Sequence, residues 1–156
     1  MQKIVYNGEV ISIDLGSRTW KKKRGYSTEQ TSVSTWRFKA DPNKKWSEQI
    51  AAWSYRKTLD SPPSLTSMMN LLRDYLITDC PDIFWHVIDE TSNSILYEWN
   101  SERCEESTLR YQVIRIIDGE NNRFRVGMAQ RFSKPSKQKR NMWINNLSAI
   151  EIKPAN

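Results

Sequence analysis

The sequence predicts an α+β fold: an antiparallel sheet, made of a C-terminal four-strand meander plus an N-terminal hairpin and strand, with two or three helices packed on it. Residues 84–131 hold four runs in which apolar and polar side chains alternate with period two. Residues 64–78 repeat apolar side chains at helical spacing. The 156 residues are interpreted as a single domain, long enough to bury a core.

The first hairpin is predicted where Asn7-Gly8 separates two short β-prone runs. Asn and Gly supply the two positive φ angles of a type I′ turn, which joins antiparallel strands tightly. Residues 17–31 follow, with the four consecutive cations of Lys21–Arg24 and few aliphatic side chains. We therefore expect a mobile basic loop here, or the tip of a long hairpin.

Alternation resumes over residues 33–39 and predicts a strand. Because side chains of a strand point alternately to opposite faces, Trp36 and Phe38 are expected to face inward. Arg37 and Lys39 are then expected to face outward.

Three helices are considered. The first is predicted to begin at Asp41 or Asn43, either of which suits an N-cap. Spacings of four, three and four residues separate Trp46, Ile50, Trp53 and Lys57, so the aromatic stripe is expected on one face. The second covers 64–78 with Ser64 as its cap, and a short third helix is predicted over 137–148.

Four strands are predicted from the alternating runs, at Phe84–Glu90, Ile95–Asn100, Leu109–Asp118 and Arg123–Arg131. Short polar connections between them predict an antiparallel meander. The third run is apolar on both faces, which is typical of a central strand covered on both sides.

The charges lie in three blocks. Residues 1–57 carry 12 basic and 5 acidic side chains, residues 58–120 carry 4 and 12, and residues 121–156 carry 8 and 1. The balances are +7, −8 and +7, and their total is the net charge of +6. A folded molecule could therefore present separate positive and negative faces.

Basic segments that contain aromatic residues are the strongest functional signal. Aromatic rings beside cations can stack on bases or pack against a partner while the cations contact its acidic groups. The candidate binding residues are Trp20, Lys21, Lys22, Lys23, Arg24, Tyr26, Arg37, Lys39, Arg123, Arg125, Arg131, Lys137, Lys139 and Arg140. We expect the two basic blocks to converge on one side of the molecule.

Catalytic patterns are weak. His86 is the single histidine, and a Cys–His pair with Cys80 is one route to nucleophilic catalysis. The carboxylates of residues 98–106 are a second possible catalytic group. No two glycines are close enough for a phosphate-binding loop, and no Cys-x-x-Cys or second histidine supports a zinc site. The sequence therefore leans against an enzyme, and we expect no cofactor and no metal.

The expected location is cytoplasmic. The first residues are too polar for a signal peptide, and no apolar run approaches the ~20 residues of a membrane span. Cys80 and Cys104, the two cysteines, are therefore expected to be reduced thiols.

The sequence favours a non-catalytic binding protein, an adaptor or inhibitor, which docks an acidic macromolecule through a basic, aromatic-containing surface. Because the charge distribution is bipolar, a protein partner is favoured over nucleic acid. The first alternative is a nucleic-acid-binding protein that uses Trp20–Tyr26 and the last strand. The second is a small enzyme built on His86 or on the carboxylates of residues 98–106. A homodimer through an unpaired N-terminal edge strand is also possible.

Overall fold

The computed structural model describes residues 1–39, 43–58 and 62–156. The elements follow in the order β1 (Gln2–Tyr6), β2 (Glu9–Ile13), β3 (Lys21–Ser27), β4 (Thr31–Phe38), β5 (Glu48–Arg56), α1 (Leu65–Asp79), β6 (Phe84–Glu90), β7 (Ser94–Asn100), β8 (Leu109–Asp118), β9 (Asn122–Arg131), α2 (Lys137–Ser148) and β10 (Lys153–Pro154). The predicted α+β class is confirmed. No helix in the described part of the chain is both long and apolar enough to cross a membrane.

The N-terminal hairpin belongs to a small sheet of its own, in the order β1-β2-β10. Asn7 and Gly8 make its turn with φ angles of 45° and 81°, as a type I′ turn requires. The hairpin therefore does not extend the main sheet, which differs from the arrangement expected from the sequence.

The main sheet has seven antiparallel strands in the order β3-β4-β5-β9-β8-β7-β6. The strands from β6 to β9 lie side by side in chain order, and β5 pairs with β9 to join them to β3 and β4. The two edges of the sheet are therefore β3, rich in Lys, and β6.

One face of the main sheet carries the larger core. From β9, Phe124, Val126 and Met128 are fully buried there, and α2 contributes Trp143 and Leu147. The small sheet packs on the same face through β2. This layer covers β4, β5, β9 and β8, which are neighbours in the sheet, so α2 lies on that side of the molecule.

The opposite face is covered over only part of its width. Helix α1 packs through Met69 on Ile95, Tyr97, Ile114 and Ile116 of β7 and β8. Beside this covered half, no described helix packs on the same face of β3, β4, β5 and the adjoining side of β9. We call that region the open half, and it positions the candidate site.

The first predicted helix is wrong, because Glu48–Arg56 form strand β5. Burial alternates along it, with Ile50 and Ala52 buried and Trp53 half-buried on the other face. Pairing with β4 on one side and β9 on the other overrides the helical spacing. Asp41, one of the two predicted caps, lies outside the described residues.

The expectation of reduced thiols is also wrong. Cys80 and Cys104 form a disulfide that links the end of α1 to the segment before β8. Cys80 is 1% and Cys104 7% exposed, and they pack with Leu76 and Trp99. A structural disulfide is typical of oxidising compartments, so the cysteines give no support to a cytoplasmic location.

Candidate binding site: a basic groove on the open half of the sheet

A groove of about 860 Å³ lies at one end of the open half, where β3, β4 and the end of β9 meet the residues before β5. We call it the basic groove, and its lining residues are Thr19, Lys21, Lys23, Arg37, Phe38, Lys39, Lys45, Trp46 and Arg131. Among these nine described residues, six are Lys or Arg and none is acidic. The groove is therefore a concentrated positive site.

Trp46 holds two of these cations together. The guanidinium carbon of Arg131 lies 3.8 Å from the centre of a Trp46 ring, and that of Arg37 lies 5.0 Å away. Arg37 Nε donates a hydrogen bond to Gln49 Oε1 at 2.8 Å. Arg131 Nε is buried and has no hydrogen-bond partner among the described residues. Burial, and secondarily the charge of Arg37, lower the pKa of the Arg131 guanidinium.

The positive surface continues along β3 beyond the groove. A second hollow of about 430 Å³ shares Lys21, Lys23 and Arg37 with it. Strand pairing places Lys21 opposite Arg37 and Lys23 opposite Thr35, so these side chains share the open half. Lys22 points to the other face, where its ammonium lies 5.7 Å from the centre of a Trp36 ring.

A pair of aromatic rings lies further along β5. Trp53 and Tyr55 occupy alternate positions of the strand and so share a face. Their ring planes are 6° from parallel, with centroids 6.4 Å apart, and we call them the stacked ring pair. The guanidinium carbon of Arg125 lies 5.3 Å from the centre of a Trp53 ring. Tyr26, on the edge strand, is 54% exposed.

Trp20, a candidate binding residue, is engaged in packing. Its Nε1 donates to the Leu15 carbonyl at 2.9 Å, and its ring centroid lies 5.9 Å from that of Phe38 and 6.0 Å from that of Trp143. It is half-buried. Trp20 therefore connects the start of β3 to α2 and does not belong to an exposed aromatic loop.

The two basic blocks converge only in part. The open half brings Lys21, Lys23 and Arg37 together with Arg125 and Arg131. The segment 137–140 belongs to α2, which packs on the opposite face. The expectation of a single patch is therefore wrong for the last helix.

Three other candidate cations are paired with carboxylates. Arg123 Nε lies 2.7 Å from Asp118 Oδ1, and Lys139 Nζ lies 3.4 Å from Glu48 Oε1. Arg140 makes a two-point contact with Glu98. These cations neutralise buried or half-buried acids and are not free for a ligand.

Both carboxylate oxygens of Glu98 already have hydrogen-bond partners within the protein. Tyr111 Oη donates to Glu98 Oε1 at 3.1 Å, and His86 Nδ1 lies 3.2 Å from Oε2. Burial would raise the pKa of Glu98, but the hydrogen bonds from Arg140 and His86 outweigh it and lower that pKa. The other acidic side chains of residues 98–106 are exposed in the segment after β7, so the carboxylates do not form one cluster.

Potential metal ligands meet at Asp79, Cys80 and Cys104, whose ligand atoms lie within 4.8 Å of one another. Both sulfurs belong to the disulfide. A disulfide sulfur is not a thiolate and does not serve as a strong metal ligand. The geometry therefore supports a covalent link here and not a metal centre.

Sequence reasoning missed Lys45, Trp46 and the stacked ring pair as site residues. The helical spacing of Trp46 and Trp53 predicts a core position for both. The available signal for the ring pair was the two-residue spacing of Trp53 and Tyr55, which places them on one face if the segment is a strand.

Comparisons with protein-family models, with curated proteins and with solved structures find no match to this chain. The functional conclusion therefore rests on the chemistry of the open half.

Proposed function

We propose that this protein is a non-catalytic binding protein, an adaptor or inhibitor, which docks an acidic macromolecule in the basic groove. One observation carries the proposal: six cations line the groove, and no acidic side chain is among its described lining residues. The five ion pairs of the described residues include none of these six. An anionic partner would supply the missing negative charge.

Crowding of like charges explains why an anion would bind here. Arg37 and Arg131 contact the same indole, and each raises the electrostatic cost of the other's charge. An anion in the groove would relieve this repulsion by pairing with the guanidinium groups of Arg37 and Arg131. Charge-assisted hydrogen bonds of this kind are shorter and stronger than neutral ones.

The extent of the positive surface favours a polymer over a small anion. The basic groove and the second hollow share three cations and continue along β3. Successive strand residues advance by about 3.3 Å, so the cations follow a line and not a point. A chain of regularly spaced negative charges matches such a line.

The acidic block reaches one end of the groove, where Asp79 and Glu106 line an adjoining hollow with Lys45 and Arg131, but no ion pair among the described residues joins them. Other members of the block lie far away. Asp89 and Glu90 are exposed on β6, at the opposite edge of the main sheet from β3. With strands about 4.8 Å apart, six spacings separate the two edges by roughly 29 Å. That is beyond the Debye length of about 8 Å at physiological salt, so these acids screen the groove little.

A binding experiment with two polyanions tests the function. Fluorescein-labelled polyglutamate and fluorescein-labelled oligothymidylate are titrated with the protein at low salt, and polarisation is recorded. We expect at least one probe to bind, with an affinity that falls as salt rises. The Lys23→Glu/Arg37→Glu double variant should weaken binding by about tenfold or more, because it removes two positive charges and adds two negative ones.

Lys134→Glu/Lys137→Glu is the matched control, because both residues are exposed and outside the groove and the double change alters the net charge by the same amount. It should change affinity by less than about twofold. Failure of both probes to bind at low salt would overturn the proposed function. Equal weakening by the control would show that net charge, and not the groove, determines binding.

A further inference from the structure

We propose that the acidic macromolecule is a single-stranded nucleic acid, whose bases stack on Trp53 and Tyr55 while its phosphates follow the basic groove. This inference rests on the proposed function and names the partner of the same site. Four properties of the open half carry it: its shape, its parallel rings, its cations and the distance between the two groups.

The floor between the groove and the stacked ring pair is low. Pairing places Thr35, Ala51 and Gly127 in one row across β4, β5 and β9. An added Cβ at Gly127 would lie 3.0 Å from Ile114 Cγ1, a tight contact. Small side chains in this row leave the sheet face low, as a shallow trough along which a chain can lie.

The stacked ring pair presents flat apolar surface within this trough. Both rings are half-buried, so part of each remains accessible. Their planes are nearly parallel, and the two residues occupy alternate positions of β5. Bases stack on such rings largely without regard to sequence, and the Arg125 guanidinium beside Trp53 adds a cation–π contribution.

The spacing fits a polymer that carries both bases and phosphates. Gln49, which bonds Arg37 in the groove, lies four residues before Trp53 on β5, a rise of about 13 Å. A short run of nucleotides spans such a distance, as when one sheet face binds two or three bases. The cations at one end would therefore contact the phosphates of a nucleic-acid strand, and the rings at the other end would contact its bases.

Other polyanions could contact the cations of this surface but could not stack on its rings. A duplex keeps its bases inside the helical stack and cannot offer their faces to Trp53 and Tyr55. An acidic peptide would pair with the cations but carries no repeated planar group to stack on the rings. The combination of parallel rings with uncompensated cations therefore favours a single strand.

Three labelled probes of equal charge test the inference: oligothymidylate, a DNA duplex and polyglutamate. We expect oligothymidylate to bind most tightly. Trp53→Leu/Tyr55→Leu should weaken oligothymidylate binding by about tenfold or more, because it removes both aromatic surfaces on which bases stack. Polyglutamate binding should change less than about twofold, since its contacts are electrostatic. Phe84→Leu, at a 58% exposed aromatic on the far edge strand, is the matched control.

Photocross-linking of the wild-type protein gives a readout that does not depend on how a variant folds. An oligonucleotide carrying 5-iodouracil is irradiated with the protein, and the attachment site is mapped by mass spectrometry. Attachment within β5 supports stacking on its rings. Attachment confined to α2 or β6 would overturn the inference.

The outcomes separate the two proposals. Equal binding of duplex and single strand, or a single-strand affinity that is independent of the rings, overturns the nucleic-acid inference. Binding of polyglutamate alone overturns it too, but leaves the proposed function standing. Failure of all three probes overturns both.

Discussion

The cations of α2 and the cations of the basic groove have the same chemistry but opposite surroundings. On α2, Arg140 faces Glu98 and Lys139 faces Glu48, and each of these carboxylates is no more than 3% exposed. In the groove, Arg37 and Arg131 share an indole, and neither forms an ion pair with a described carboxylate. The first set is neutralised within the fold, and the second is not.

This difference separates structural charges from charges available to a partner. A buried carboxylate is costly unless it is paired, so the α2 cations are needed for folding itself. The groove cations are not required by any buried acid among the described residues. They cost some stability through mutual repulsion, and an anionic ligand would offset that cost.

The largest expected effect is on stability when Arg140 is removed. Arg140→Ala leaves the carboxylate of Glu98 buried without its two-point partner. Because an unpaired buried charge is expensive, we expect a loss of about 3 kcal/mol in the free energy of unfolding, measured by urea denaturation.

Arg37→Ala is the comparison for that measurement, because it removes the same side chain from the groove. Its effect should stay within about 1 kcal/mol. Equal destabilisation by the two variants would mean that the groove cations are also structural, and the comparison would fail.

A second effect concerns pH. Burial would raise the pKa values of Glu48 and Glu98, but hydrogen bonds from Arg18 and Arg140 respectively outweigh it and bring both below the usual 4.5. A folded-state pKa below the unfolded value stabilises the protein above pH 4.5, and this contribution is lost as pH falls through the folded pKa.

Acid denaturation followed by circular dichroism checks the sign. The wild type should lose stability progressively below about pH 4.5, and Glu98→Gln should show a shallower loss over the same range. A steeper loss in Glu98→Gln would contradict the pairing. No described lining residue of the groove contributes a carboxylate to this titration, so Arg131→Gln should leave the pH profile unchanged in shape.

A third and smaller effect is stabilisation by a simple anion. Inorganic pyrophosphate should bind the native groove and raise the free energy of unfolding by about 1.4 kcal/mol at roughly ten times its dissociation constant. The Arg37→Gln/Arg131→Gln variant should lose this gain, which is measured as a shift in the melting midpoint. An equal shift in the variant would place the anion elsewhere.

Local sequence patterns predicted the elements that depend on near neighbours. Ser64 caps α1 as expected, since its Oγ accepts a hydrogen bond from the Ser67 N–H at 3.0 Å. Met69 and Leu76, two members of the predicted apolar stripe, are buried on the sheet side of α1. Both facts follow from spacings within one or two turns of the helix.

The errors arose where distant partners decide the structure. Ile50 and Trp53 lie at a helical spacing, but β4 and β9 supply hydrogen bonds on both sides and make the segment a strand. The disulfide likewise needed the end of α1 to meet a loop that follows two strands later. Local alternation predicts the outward direction of Arg37. It does not predict the contact of Arg131 with Trp46, which depends on the pairing of β5 with β9.

The smallest expected effect on global stability is local opening of the edge strand β3. All seven of its residues are exposed, it pairs with β4 alone, and its register shifts between Lys23 and Tyr26. Edge segments with few buried contacts open at a much lower free energy than the whole fold.

The segment 137–140 also contains Lys and Arg residues at which trypsin cleaves, but it is helical and two of its cations are paired. We therefore expect limited trypsin digestion to cleave at Lys21–Arg24 before 137–140, as mass spectrometry would show. Oligothymidylate should then slow the β3 cuts and leave the α2 cuts unaffected. Cleavage of α2 first, or equal protection of both segments, would remove the distinction between free and paired cations.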